Sequence, residues 1–249
     1  MRKFFLLAFL VFSIDCLAQI SGTLYVAAKG GLSLREKKDA NSKVLVQIPY
    51  GTKVSINYPD EIVNITSDGI IGAWAKTSFN GKTGYIVNSF LLPWPPPKST
   101  VKTMKQYLLQ VSPAAGAPVI VKAGSIESLE AGGSNTKKQL YKNGAEYHEE
   151  TFYEAGNDIY FLPGFTIEQG FILLRLLPEF KAVFGETDIF PMEDKTIKRG
   201  EDDYRIRVEK METSDWIEKI QIDYVEGAFY TFEMFLLGGQ LVINFGAGV

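Results

Sequence analysis

The chain has 249 residues, of which 26 are Lys or Arg and 29 are Asp or Glu, giving a formal net charge of −3. That length is comfortable for two domains with separate cores, and the apolar and aromatic content excludes a disordered chain. The mild acidity argues against nucleic acid as a partner, because phosphate binding is driven by clustered Lys and Arg.

The chain begins Met1-Arg2-Lys3, continues with an apolar run from Phe4 to Ile14, and reaches Cys16-Leu17-Ala18-Gln19. A basic start, a short apolar stretch and small residues before a polar one predict a secretory signal over residues 1–18, cleaved after Ala18. The run is shorter than the roughly 20 apolar residues of a membrane-spanning helix. Lipid anchoring through Cys16 is the competing reading, but Asp15 fits poorly where such signals want small or apolar residues. The expectation is export to the periplasm or the exterior, with no transmembrane segment in the mature chain. Because Cys16 is the sole cysteine, cleavage would leave no disulfide, no thiolate nucleophile and no thiolate metal ligand.

From Leu24 to Val87, short β-branched runs alternate with turn signals. Strands are predicted at Leu24 to Ala27, Val44 to Ile48, Thr52 to Tyr58, Trp74 to Phe79 and Thr83 to Val87. Turns are predicted at Lys29-Gly30-Gly31, Pro49-Tyr50-Gly51, Ser67-Asp68-Gly69 and Asn80-Gly81. Asn80-Gly81 is the strongest of these, since a type I′ turn needs positive φ at both central positions. Five short strands so spaced suggest a small barrel.

The order Gly31-Leu32-Ser33-Leu34-Arg35, Ile48-Pro49-Tyr50-Gly51-Thr52-Lys53-Val54, Gly72-Ala73-Trp74 and Asn80-Gly81-Lys82-Thr83-Gly84-Tyr85-Ile86-Val87 resembles the bacterial SH3-like (SH3b) domain. The resemblance covers about residues 22–92 and implies a binding module. Two positions depart from the family pattern. Tyr85 stands where the family often has tryptophan, and Asn57 to Ile71 is longer than usual, so a groove formed there is expected to be reshaped or covered. The candidate ligand-binding residues are Tyr58, Trp74, Tyr85 and Asn88. Tyrosine and tryptophan offer apolar faces with polar tips, which suits a peptide ligand. For Trp74 the barrel core is the favoured alternative, because a large aromatic gains most from burial.

Pro93-Trp94-Pro95-Pro96-Pro97 predicts a linker over residues 93–100, since consecutive prolines neither join a sheet interior nor continue a helix. The domains expected are thus residues 19–92 and 101–249. In the second, Ala117 to Lys122, Gln139 to Tyr147 and Asp158 to Leu162 read as strands, with a turn at Asn143-Gly144. Thr166 and Gln169 have capping-box spacing ahead of an apolar helix through Leu177, with Pro178 bending or restarting it and Gly185 closing it. Alternation at Tyr204, Ile206, Val208 and at Ile220, Ile222, Tyr224, then Phe229 to Leu236 and Gln240 to Phe245 around Gly238-Gly239, predicts a four-strand meander with the helix on its apolar face. The fold class is therefore mainly β: a small SH3-like barrel followed by an α+β domain with an antiparallel meander and one main helix.

Signals for chemistry are sparse. His148 is the single histidine and reads as a surface or loop residue. Glu201-Asp202-Asp203 reads as a solvated turn, the paired glycines read as turns, and Asn64-Ile65-Thr66 would be a glycosylation site only in a eukaryotic secretory route. No catalytic residue, metal ligand or cofactor is expected. The first reading is an exported, non-catalytic binding protein of the bacterial envelope that takes a peptide, a cell-wall fragment or a protein partner. The alternatives are a cell-wall hydrolase using carboxylates such as Glu146, Glu149 or Asp158, and a purely structural assembly protein.

Overall fold

The computed structural model describes residues 22–58, 61–212, 214 and 216–248. The predicted signal over residues 1–18, Cys16 included, lies outside them.

The first half is built from β1 (Gly22–Val26), β2 (Leu32–Arg35), β3 (Val44–Ile48), β4 (Lys53–Ile56), β5 (Asn64–Ser67), β6 (Ile70–Phe79), β7 (Lys82–Val87) and β8 (Leu91–Leu92). They form a three-stranded sheet in the order β4-β1-β8 and a five-stranded sheet in the order β3-β2-β7-β6-β5. Between them Val26, Leu34, Ile48, Val54, Ile56, Ala75, Ile86 and Leu91 close a barrel core. Alternate residues of β4 and β7 point inward, as strand periodicity requires. Asn80 and Gly81 have φ of 49° and 73° and join β6 to β7 in the predicted two-residue turn. The same device, at Asp68 and Gly69, joins β5 to β6. β5 is an addition to the predicted strands, supplied by the long segment before Trp74.

The second half contains α1 (Met104–Val111), β9 (Val119–Lys122), α2 (Ile126–Glu130), β10 (Asn135–Leu140), β11 (Glu146–Phe152), β12 (Ala155–Pro163) and α3 (Ile167–Arg175). After a single 3-10 turn at Pro178–Phe180 come β13 (Lys195–Arg199), β14 (Asp202–Lys210), β15 (Ile217–Val225), β16 (Phe229–Leu237) and β17 (Gln240–Gly248). The predicted meander is β14 to β17, yet it is only the middle of one antiparallel sheet of nine strands, ordered β13-β14-β15-β16-β17-β12-β11-β10-β9. The sheet grows because β17 would otherwise leave an edge of unpaired backbone groups, which β12 covers along its whole length, from Ala155 opposite Gly248 to Pro163 opposite Gln240. The predicted turn at Asn143-Gly144, with Gly144 at φ of 86°, splits the stretch from Gln139 to Tyr147 into the hairpin of β10 and β11. α1 and the short α2 are helices beyond the one expected.

One face of the sheet is apolar. Tyr160, Leu162, Ile206, Ile220, Ile222, Phe232, Met234, Leu241 and Ile243 are buried there with α3 and with Phe180 and Phe184. α3 starts on the predicted capping box: the Gln169 amide donates to Thr166 Oγ1 (3.3 Å), and the Thr166 amide donates to Gln169 Oε1 (3.0 Å). The opposite face is a ladder of polar pairs, among them Arg207 with Asp223 (2.8 Å) and Lys219 with Glu233 (2.6 Å).

The barrel and the sheet share a core. Ala27, Ile70 and Leu92 of the barrel belong to the same buried cluster as α3 and the sheet. Gln169 of the capping box also donates to the Leu91 carbonyl (3.2 Å), and the Phe190 amide donates to the Asp68 carbonyl (2.9 Å). The proline segment lies against both halves. Tyr50 donates to the Pro97 carbonyl (2.7 Å), Gln110 donates to the Pro96 carbonyl (3.1 Å), and Trp94 meets Phe165 edge-on at 4.9 Å. Prolines lack an amide donor, so their carbonyls are what remain to be satisfied, and side chains from either half do this.

Candidate functional site

The four residues singled out in the barrel share one region but not one open groove. Ala75 and Ile86 point into the barrel core, so their neighbours Trp74, Lys76, Tyr85 and Val87 turn to the outer face. Trp74 is nevertheless only 3 % exposed. Its backbone amide donates to the Val63 carbonyl (3.0 Å), and Asn57 bridges to Lys76, so the long segment folds back onto this strand. Tyr58 and Asn88 are brought together: the Asn88 amide nitrogen donates to the Tyr58 hydroxyl at 2.7 Å. Asn88 Oδ1 accepts from the Ala73 amide, also at 2.7 Å, so this side chain ties the start of β6 to the end of β7. Tyr85 is half-buried on β7, opposite Lys76 of β6 and Arg35 of β2. What is not fully covered is Tyr58 and Tyr85, both half-buried, and the exposed Lys76 opposite Tyr85.

Residues that sequence reasoning did not connect form a second feature. Where the barrel meets α3, a cavity of about 280 Å³ opens over Ala27, Ala28, Phe90, Ile172 and Leu176. Two ion pairs cross its rim, Lys29 with Glu186 and Asp68 with Arg175, the latter at 3.0 Å. The hydrogen bond and charge of Lys29 hold the Glu186 carboxyl below its ordinary value. Lys29 and Glu186 are 157 positions apart in the chain, and no local pattern announces such a pairing.

The acidic residues considered for hydrolysis are divided between the two faces of the sheet. Glu146 lies on the polar face with Lys138 (2.5 Å) and His148 (3.1 Å). Partial burial works against its ionisation, but these two partners outweigh burial and hold its carboxyl below the ordinary value. His148, expected on the surface or in a loop, is a strand residue packed on Phe161, with ring centroids 4.8 Å apart. Glu149 and Asp158 face each other across β11 and β12 on the other side. Asp158 is held by Lys105 (3.2 Å) and by the Tyr147 hydroxyl (2.5 Å), with the Lys105 ammonium 4.4 Å above the Tyr147 ring. Burial, then the bond to Asp158, pushes the Tyr147 phenol up. Among the described residues no group of three or more His, Cys, Asp or Glu side chains gathers as a metal site, and no helix is long and apolar enough to cross a membrane.

Residues 30–91 match the family model of the bacterial SH3 domain, so the barrel is a domain of that class. The match ends where β8 begins, and the proline segment and the nine-stranded sheet lie beyond it. No curated protein and no solved structure matches the chain.

Proposed function

We propose that this is an exported, non-catalytic binding protein of the bacterial cell envelope, whose SH3 domain holds a cell-wall peptide or a partner protein through Tyr58, Tyr85 and the adjoining Lys76. The observation that carries this reading is the bacterial SH3 domain itself, on which Tyr58 and Tyr85 are half-buried rather than fully covered. Tyrosine rings supply apolar contact area and hydroxyl tips that can bond a peptide backbone. Support for a non-catalytic role comes from the second half, where Asp158 is engaged by Lys105 and Tyr147 and Glu146 sits on the opposite face with Lys138 and His148. Of the three carboxylates only Glu149 and Asp158 share a face, and Asp158 is already held by Lys105 and Tyr147 rather than left free to act on a substrate. Export rests on the basic and apolar start of the chain and its small residues at Ala18.

Titration of the isotopically labelled mature protein with soluble cell-wall peptide fragments should shift resonances at Tyr58, Lys76 and Tyr85. Tyr85→Ala should weaken the interaction by about tenfold, the loss of one interfacial aromatic. Absence of any shift on that face would remove the peptide-binding reading.

The shared core favours an assembly role as the second reading. Because the barrel packs on α3 through Ala27, Ile70 and Leu92, that part of its surface is already occupied within the chain.

A further inference from the structure

We infer that the cavity between the SH3 domain and α3 is a binding site for a small zwitterion with an apolar side chain, of the size of a dipeptide. It is a different place from the Tyr58 and Tyr85 surface, and its lining comes from both halves of the chain.

The hollow has a local cause. Phe90 and Ile172 approach the seam with large side chains, but the barrel contributes Ala27 and Ala28 in succession, and the space that bulkier residues would fill stays open. Its 280 Å³ lies near the lower end of small-ligand sites, about 300 Å³ and upward, which admits a dipeptide and excludes a long chain. The floor is apolar. Charges stand only at the rim, two of each sign: Lys29 and Asp68 from the barrel, Arg175 and Glu186 from beyond it.

That balance selects the ligand. A simple anion or cation entering the cavity would satisfy one sign and leave the other facing it, with the attendant desolvation cost. A molecule carrying one carboxylate and one ammonium leaves no excess of either sign. The four rim groups also differ in readiness. Arg175 is fixed: its side chain is 14 % exposed, bonded to Asp68 and to the Glu186 carbonyl, and its guanidinium lies 5.2 Å from the centre of the Phe171 ring. Lys29 and Glu186 are 58 % and 71 % exposed, and a pair so solvated exchanges partners at little cost. The ligand carboxylate then takes Lys29 with Arg175 behind it, its ammonium takes Glu186, and its side chain covers Phe90 and Leu176. An internal ion pair is replaced by two intermolecular ones, and apolar surface is buried as the net gain.

The probe is alanyl-leucine, compared with its N-acetylated and C-amidated forms, titrated into the labelled full chain. The free dipeptide should shift the amides of Ala28, Lys29, Leu176 and Glu186, and each capped form should bind about tenfold more weakly, the loss of one charge-assisted contact. Ala28→Leu should fill the hollow and abolish these shifts while the remaining spectrum is retained. Glu186→Gln, a surface change that leaves the fold intact, should remove the preference for the free ammonium over the acetylated form. Shifts confined to Tyr58 and Tyr85, equal affinity for free and capped forms, or undiminished binding to Ala28→Leu would each overturn the proposal.

Discussion

Glu179 shows how one half-buried group ties the turn after α3 to the start of α1. Its carboxylate accepts from the Met104 amide at 2.6 Å, at the first turn of α1. Burial pushes its carboxyl up; the Met104 bond opposes this, and the nearby charge of Asp158 adds to the rise. A carboxyl raised in the folded state binds its proton more readily there than in the unfolded chain. Its contribution therefore favours folding below the ordinary glutamate value and is lost as the pH climbs through the raised one. Glu179→Gln keeps an acceptor for Met104 and removes the charge. Relative to the parent, the variant should gain stability between pH 4.5 and neutrality, with the difference growing as pH rises and then levelling. Denaturant titrations of both proteins across that range measure it, and a difference that shrinks with rising pH would contradict the assignment.

At the scale of elements, the approach of α3 to the sheet depends on a missing side chain. A Cβ at Gly170 would stand 2.4 Å from Leu241 Cδ2 and 2.7 Å from Met234 Sδ, so the helix lies close over β16 and β17. Glycine inside a helix costs up to about 1 kcal/mol against alanine, and this contact is the structural reason for tolerating it. Gly170→Leu should destabilise the protein by about 1–3 kcal/mol through overpacking, measured by urea unfolding. A stability equal to or above the parent would show that the helix can lift without loss. The capping box that starts this helix was legible in Thr166 and Gln169, because its chemistry is contained in four consecutive residues. The bond from the same Gln169 to Leu91 was not legible, since it spans 78 positions. The two edges of the sheet also contrast: β13 carries Lys195, Lys198 and Arg199, whereas Val119, Ile120 and Val121 of β9 are each at least 60 % exposed.

For the whole molecule, the shared core predicts cooperative behaviour. Ala27, Ile70 and Leu92 are buried together with α3 and the sheet, and Trp94 extends that core into the proline segment. Heating should give one transition, with matching calorimetric and van't Hoff enthalpies. Trp94→Ala, at a half-buried position, should cost about 2–3 kcal/mol, less than a fully buried tryptophan. Two well-separated transitions in the parent would show that the barrel and the sheet unfold independently. The sequence alone determined what is local: the I′ turn at Asn80-Gly81, the alternation of β14 and β15, the start of α3, and the order of motifs that marks the SH3 barrel. Each depends on residues a few positions apart, whose backbone preferences act before any distant contact forms. Tertiary structure alone decided that the meander continues into nine strands, that Trp74 is buried outside the barrel core in which it was expected, and that Lys29 meets Glu186 across a cavity. Those outcomes depend on which edges and faces remain unsatisfied once local structure has formed, and pairing across a hundred or more residues leaves no periodic trace in the chain.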